Sequence, residues 1–252
     1  MQSELVIEID GKPAHLALKN RKHIFKYQVQ DIFNAFKSAK YISDGSWLLM
    51  DRETKADDNA EHLYRYLMNN YPEQKCYFAL NQDSHDWNRL QKEGFLLLNF
   101  GSKEYENRLR KASRIISSHF DEYVQDYFND EYEHSKKFIF LQHGVIQNDL
   151  SRFMNRKRNL LAFITSTKDE YDSIVQNHSP YKVGDKEVVL TGLARHDELL
   201  RGNCINGRTI LIMPTWRSSI LGKATKTGNA REFNEDFMQT GYAKHWADLL
   251  PS

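Results

Sequence analysis

Cysteine is scarce: Cys76 and Cys204 are the two in 252 residues, and they form no CxxC pair. Neither a zinc ribbon nor a disulfide framework is indicated, and a reducing, cytoplasmic setting fits best. Charge of one sign is not in excess either. With 35 Lys and Arg against 34 Asp and Glu, the formal net charge is +1. Nothing global points to nucleic acid, so any electrostatic function falls to local clusters. No apolar run approaches the roughly 20 residues of a membrane span. The opening residues, Met1 to Asp10, lack the basic region and apolar core of a signal peptide. The histidines show no HxxxH or HExxH spacing, so no metal site is expected, and no cofactor. A phosphate-cradling glycine loop ending in Gly-Lys-Ser/Thr is missing too. The stretch 223–228 carries glycine and lysine in another order and reads as a loop.

What is present suits a folded α/β protein. Hydrophobic residues make up 40% and charged residues 27%, enough for a sizeable core. Leu5 to Ile9 and His15 to Leu18 read as a hairpin around the turn Asp10-Gly11-Lys12-Pro13. Val29, Ile32, Phe33, Phe36 and Ala39 then recur at helical spacing. Residues 1–45 form a lead-in.

From Ser46 strands and helices alternate. Strands are expected at Trp47–Met50, Cys76–Leu80, Phe95–Asn99, Ile115–Ile116, Phe138–Gln142, Leu160–Thr165, Glu187–Leu190 and Thr209–Met213. Helices are expected from Asp57-Asp58 to before Pro72, over Asp86–Glu93, closed by Gly94, and over Glu104–Lys111 and Asp121–Tyr132. Another begins at the capping box Thr167/Glu170. This alternation argues for a doubly wound, mostly parallel sheet over 46–203. The run Gly202 to Gly207 reads as a linker. The remaining stretch, 204–252, is too short for an independent domain and reads as the opening of a second one.

The chemistry-bearing residues fall at strand ends. In an open α/β sheet, ligands bind beyond the carboxyl ends of the strands. The apolar run Phe138 to Leu141 delivers Gln142-His143-Gly144 there: a histidine suited to proton transfer and a glycine open to close approach. Asp51-Arg52, with Asp58-Asn59, follows the first main strand; Thr191-Gly192 with Arg195 and Asp197 follows the seventh; Pro214-Thr215-Trp216-Arg217 follows the last. Guanidinium groups suit phosphate. Each has a bland counterpart: a surface ion pair for Arg52 and Asp58, a helix-start preference for Asp197, a packed turn for Trp216. Arg152, Arg156, Lys157 and Arg158 put four cations in seven residues. On a helix, Leu150, Phe153 and Met154 would share one face. The cations then suit either a solvated face or contact with an anionic polymer or lipid headgroups.

Taken in order, Trp47 to Arg52 with Asp58-Asn59, Gln142-His143-Gly144, Thr191-Gly192 with Arg195 and Asp197, and Pro214 to Arg217 resemble the CDP-glycerol glycerophosphotransferases. These are polymerases and primases of wall teichoic acid and related capsular polymers. Leu161 to Tyr171 resembles the capsule-associated branch. The resemblance implies a GT-B fold, with one Rossmann-like acceptor domain here and the beginning of a nucleotide-binding one. It implies transfer of glycerol phosphate from a CDP-glycerol donor to a polyol-phosphate or glycan-lipid acceptor, releasing CMP, at the cytoplasmic face of the membrane. By the same resemblance His143 is the general base, Arg217 holds the diphosphate, and Arg52, Asp58, Asn59, Gly144, Arg195, Asp197, Thr215 and Trp216 line the substrate cleft. Two departures stand out. Family members commonly read His-Gly-Thr-Pro-Leu-Lys where this chain has His143 to Asn148, and the later donor motifs have no counterpart before Ser252. Transfer of another polyol or sugar phosphate, a site shared across a homo-oligomer, and a non-catalytic polymer- or partner-binding module therefore stay open.

Overall fold

The computed structural model describes residues 5–9, 12–16, 42–128, 130, 133, 136–156, 159–202 and 236–249. Two compact units divide the chain, 1–203 and 204–252. In the first, β1 (Leu5–Ile9) pairs antiparallel with β2 (Lys12–Leu16). The second strand starts earlier than the turn chemistry predicts, with Pro13 opposite Glu8. In a two-stranded ribbon every strand is an edge, where proline is tolerated. The apolar helical pattern of 29–39 lies outside the described residues.

The body of the unit is a seven-stranded sheet: β3 (Trp47–Met50), β4 (Cys76–Leu80), β5 (Leu97–Asn99), β6 (Arg114–Ser117), β7 (Lys137–Phe140), β8 (Leu160–Thr165) and β9 (Val188–Leu190). Its order is β5-β4-β3-β6-β7-β8-β9, and every pairing is parallel. The chain winds outward from β3 through β5, then returns to β6 and winds the other way. The direction reverses between β3 and β6, which fixes where a ligand crevice opens.

Helices flank both faces. On one, α1 (Asn59–Asn70) and α2 (Trp87–Lys92) bury Tyr64, Leu67 and Leu90 against Leu49, Phe78, Leu80 and Ile116. On the other, α3 (Lys103–Lys111), α4 (Glu122–Gln125), α5 (Ser151–Met154) and α6 (Lys168–Val175) bury Tyr105, Leu109, Val124, Met154 and Ile174. They meet Leu48, Met50, Ile115, Phe138, Phe140 and Phe163. Continuous apolar runs are what a strand covered on both faces requires, and β4 is buried at all five positions. Asp58, Ser102 and Thr167 cap their helices with side-chain oxygens that accept backbone N–H groups. After α2 the chain reverses at Gly94, whose φ of +91° favours glycine.

One expected helix is shorter than the sequence suggests. Among the described residues of Asp121–Tyr132, the single turn α4 is helical. Beyond it, the backbone N–H groups of Tyr127 and Phe128 donate to the Glu133 carboxylate at 3.0 and 2.7 Å instead of to helical carbonyls. A side chain that outcompetes the i−4 acceptor ends a helix. The described part of the basic segment forms one turn, α5, in which Met154 is buried and Phe153, though partly exposed, meets the Phe120 ring at 5.3 Å, while Leu150 just before it is exposed. Helix α7 (Ala194–Arg201) closes the first unit. In the second unit, a 3-10 turn, Phe237–Gln239, precedes α8 (Gly241–Leu249). The strand expected at Thr209–Met213 falls outside the described residues. Among those described, no helix is long and apolar enough to cross a membrane.

Candidate active site

The strands end in a polar layer at the β3/β6 reversal. Asp51, the residue after β3, is 1% exposed. Its carboxylate accepts the backbone N–H groups of Asp58, Ala60 and Glu61 at 3.1, 2.9 and 3.1 Å, and the Ser118 hydroxyl. One carboxylate thus satisfies the orphan donors at the start of α1 and ties β3 to the end of β6. Burial pushes the Asp51 carboxyl up to about 7; the Ser118 hydroxyl and the amides hold it back, and the charge of Asp58 adds to the rise. Glu61, in the first turn of α1, takes Arg65 and Arg89 on its two oxygens. Burial alone would raise it, but the two guanidinium groups hold it down to about 2.

Asn59 and Asp58 carry the network sideways. The Asn59 amide donates to the carbonyl of Gln142 at 2.7 Å, and its oxygen accepts the backbone N–H of Arg195 at 3.0 Å. The Arg195 guanidinium donates to Asp58 Oδ1 at 2.6 Å and to the carbonyl of His143 at 2.8 Å. Three separated motifs of the sequence, 58–59, 142–143 and 195, therefore form one connected edge. The Arg52/Asp58 ion pair that the sequence allows is not made; Asp58 pairs with Arg195.

Gln142 bends this edge. It is a buried non-glycine residue at φ +66°, in the left-handed region. Two sets of bonds hold it there: the Asn59 contact, and donation from its side chain to Glu170 at 3.1 Å. Glu170, also buried, further accepts the N–H groups of Ile146 and Ser166, both at 2.8 Å. The Thr167 hydroxyl accepts the N–H of Glu170, as the capping box requires, but the carboxylate reaches Ser166 and Ile146 and so supports the loop after β7.

That loop presents His143, whose side chain is exposed. Its Nδ1 lies 3.1 Å from the carbonyl oxygen of Ser118. A carbonyl only accepts, so Nδ1 carries the hydrogen and the lone pair sits on Nε2. Beyond Gly144, open space meets the position a Cβ would take. Against the His143 ring lies His119, centroids 4.6 Å apart and planes 20° from parallel. The sequence reading did not single out His119. The signal was available: Arg114-Ile115-Ile116-Ser117-Ser118-His119 repeats the pattern of an apolar strand delivering a histidine.

Other sequence candidates stand apart. Asp197 does not join the edge; it lines a cavity of about 690 Å³ on the sheet face between α1 and α7, floored by Ile139, Ala162, Ile164 and Val189. Arg152 and Arg156 are exposed beside α5. Lys157, Arg158, Thr215, Trp216 and Arg217 lie outside the described residues.

The minor teichoic acid biosynthesis protein GgaB of Bacillus subtilis (strain 168) is 32% identical over 238 residues, 91% of this chain and 25% of GgaB. The chain thus spans a quarter of that relative's length. A solved variant of the wall teichoic acid polymerase TagF, soaked for 15 minutes with CDPG, superposes with a TM-score of 0.50 at 14% identity. The match covers 81% of this chain and 59% of that one, a likeness of fold consistent with the GT-B expectation. A family model, CDP-glycerol:poly(glycerophosphate) glycerophosphotransferase, matches residues 32–242. With the family model spanning well over half of its length, the chain belongs to the CDP-glycerol:poly(glycerophosphate) glycerophosphotransferase family.

Proposed function

We propose that this chain carries the acceptor half of a glycerophosphotransferase, with His143 as general base. The acceptor hydroxyl oxygen attacks the phosphorus that bears glycerol in CDP-glycerol. A new P–O bond forms, the bond to the bridging diphosphate oxygen breaks, and CMP leaves. Nε2 of His143 takes the hydroxyl proton. The observation that supports this is the 3.1 Å contact between His143 Nδ1 and a backbone acceptor, which leaves Nε2 as the proton-accepting atom on an exposed ring.

Arg195 has a positioning role in this reading, since its guanidinium is already engaged by Asp58 and the His143 carbonyl. Arg52 and Gly144 offer a cation and an open backbone to the acceptor. Arg152 and Arg156 would draw a polyanionic acceptor toward the edge, and Thr215, Trp216 and Arg217 would meet the donor.

The test is CMP release from CDP-glycerol with a short glycerol-phosphate acceptor, for the wild-type chain and His143→Asn. Turnover in the wild type and a loss of about 10²–10⁴-fold in the variant support the reading. Equal turnover in both overturns the base assignment. No turnover from a folded wild-type chain points to a binding module or a different donor.

A further inference from the structure

We infer that His119 is a positioning residue for His143: its buried ring is the platform that, with the Ser118 carbonyl, holds His143 in the tautomer with Nδ1–H and a free Nε2. The inference rests on the reading of His143 as the base, and it concerns a residue for which that reading has no role.

The geometry is of two unlike histidines. His143 is exposed, with its ring tethered by the one contact at Nδ1. His119 is 4% exposed. Its backbone N–H donates to Ser117 Oγ at 3.0 Å, and its ring nitrogens lie 3.7 Å from Asp58 Oδ2 and 3.8 Å from Asp121 Oδ2. Between them Ser118 faces both ways, its hydroxyl on Asp51 and its carbonyl on His143 Nδ1. A single contact at Nδ1 leaves the His143 ring free to swing about its Cβ–Cγ bond. A flat ring at 4.6 Å removes that freedom and keeps Nδ1 aimed at the carbonyl.

The platform must also be uncharged, because a second imidazolium beneath the first would oppose protonation of His143 during transfer. The groups facing His119 come from several elements: the carboxylates of Asp58 and Asp121, and the cations of Arg52, Lys55 and Arg195, with His143 itself. Burial first, then these cations, push the His119 imidazole down to about 3, so it is neutral wherever the transferase would work.

The experiment is ¹⁵N NMR of the histidine rings in the full chain above their titration range, with the His143 signals identified by their loss in His143→Asn. Wild type is expected to show a protonated Nδ1 and unprotonated Nε2 for His143. His119→Ala should shift His143 toward the Nε2–H form that predominates in free histidine, and His119→Phe, which keeps a flat ring, should restore the original pattern. In turnover, His119→Ala should lower kcat by about 10²-fold with KM little changed. If the alanine variant does not fold, His119→Leu against His119→Phe makes the same comparison at similar volume. A mixed tautomer in wild type, or an unchanged one in His119→Ala or His119→Leu, overturns the proposal whatever the activity. Failure of the base reading has a separate signature: His143→Asn would retain turnover while the tautomer pattern still followed residue 119.

Discussion

The layer between the sheet and helices α3 to α6 and the polar layer along its carboxyl edge are built in opposite ways. In the first, contacts are redundant: the Phe140 ring touches those of Phe120, Phe138 and Phe163, and the loss of one leaves the others. In the second, position depends on a few directed hydrogen bonds. Asp51 serves three amides at the start of α1, sharing that of Ala60 with the Ser118 hydroxyl; Arg195 joins Asp58 to the His143 carbonyl, and Glu170 holds the loop at Ile146. The apolar layer sets how much stability the unit has, whereas the polar layer sets where its atoms stand. A substitution in the apolar layer should leave the positions of the polar atoms nearly untouched, whereas one in the polar layer costs stability as well as position.

The hardest blow to the first layer is Phe163→Ala. The side chain is fully buried, and its removal leaves a cavity that a sheet clamped by helices cannot close, costing about 3–5 kcal/mol. Urea denaturation should show this as a lower midpoint at unchanged slope. The His143 ring signals should stay where they are in the wild type. A shift of those signals as large as that caused by His119→Ala would break the separation of the two layers.

Legibility followed the same division. Trp47–Met50 and Cys76–Leu80 were readable because an apolar run of that length needs cover on both faces, and the Asp58, Thr167 and Gly94 boundaries because caps and left-handed turns have few solutions. The strand ends could be named as candidates, since Asp58, Asn59, His143 and Arg195 all converge on one edge. Which atom meets which was not readable. That Asp58 chooses Arg195 over Arg52 depends on a contact between residues 137 apart in the chain. That Asp121–Tyr132 stops after one turn depends on the Glu133 carboxylate. His119 was overlooked for a related reason: a histidine that matters by lying against another has no spacing rule of its own.

A more moderate effect probes the edge by itself. Asp51→Ala should cost about 2–3 kcal/mol, because the amides at the start of α1 and the Ser118 hydroxyl lose a shared acceptor. The pH dependence sharpens this. The folded pKa of Asp51 is raised, so its contribution is present below its unfolded value and is lost as pH rises toward about 7. The folded pKa of His119 is lowered, so its contribution is present above its unfolded value and is lost as pH falls toward about 3. Between about pH 5 and 6.5 the two slopes oppose, each at most about 1.4 kcal/mol per pH unit. His119→Leu should therefore make stability fall with rising pH across that window, and Asp51→Asn should make it rise. The same tilt in both variants would show that these two groups do not govern the profile.

The smallest effect on stability is expected at the residue with the largest proposed effect on chemistry. His143→Asn removes an exposed ring whose hydrogen bond is to one backbone carbonyl, and asparagine can offer its own amide to that carbonyl. The change in unfolding free energy should fall within about 0.5 kcal/mol, even as turnover is lost. His119 remains held by its own backbone and by its burial, so the platform should survive the loss of what rests on it. Thermal unfolding of this variant beside His119→Leu decides the direction of dependence. If His143→Asn proved the more destabilising of the two, the exposed ring would be supporting the buried one, and the order of support between the two histidines would have to be reversed.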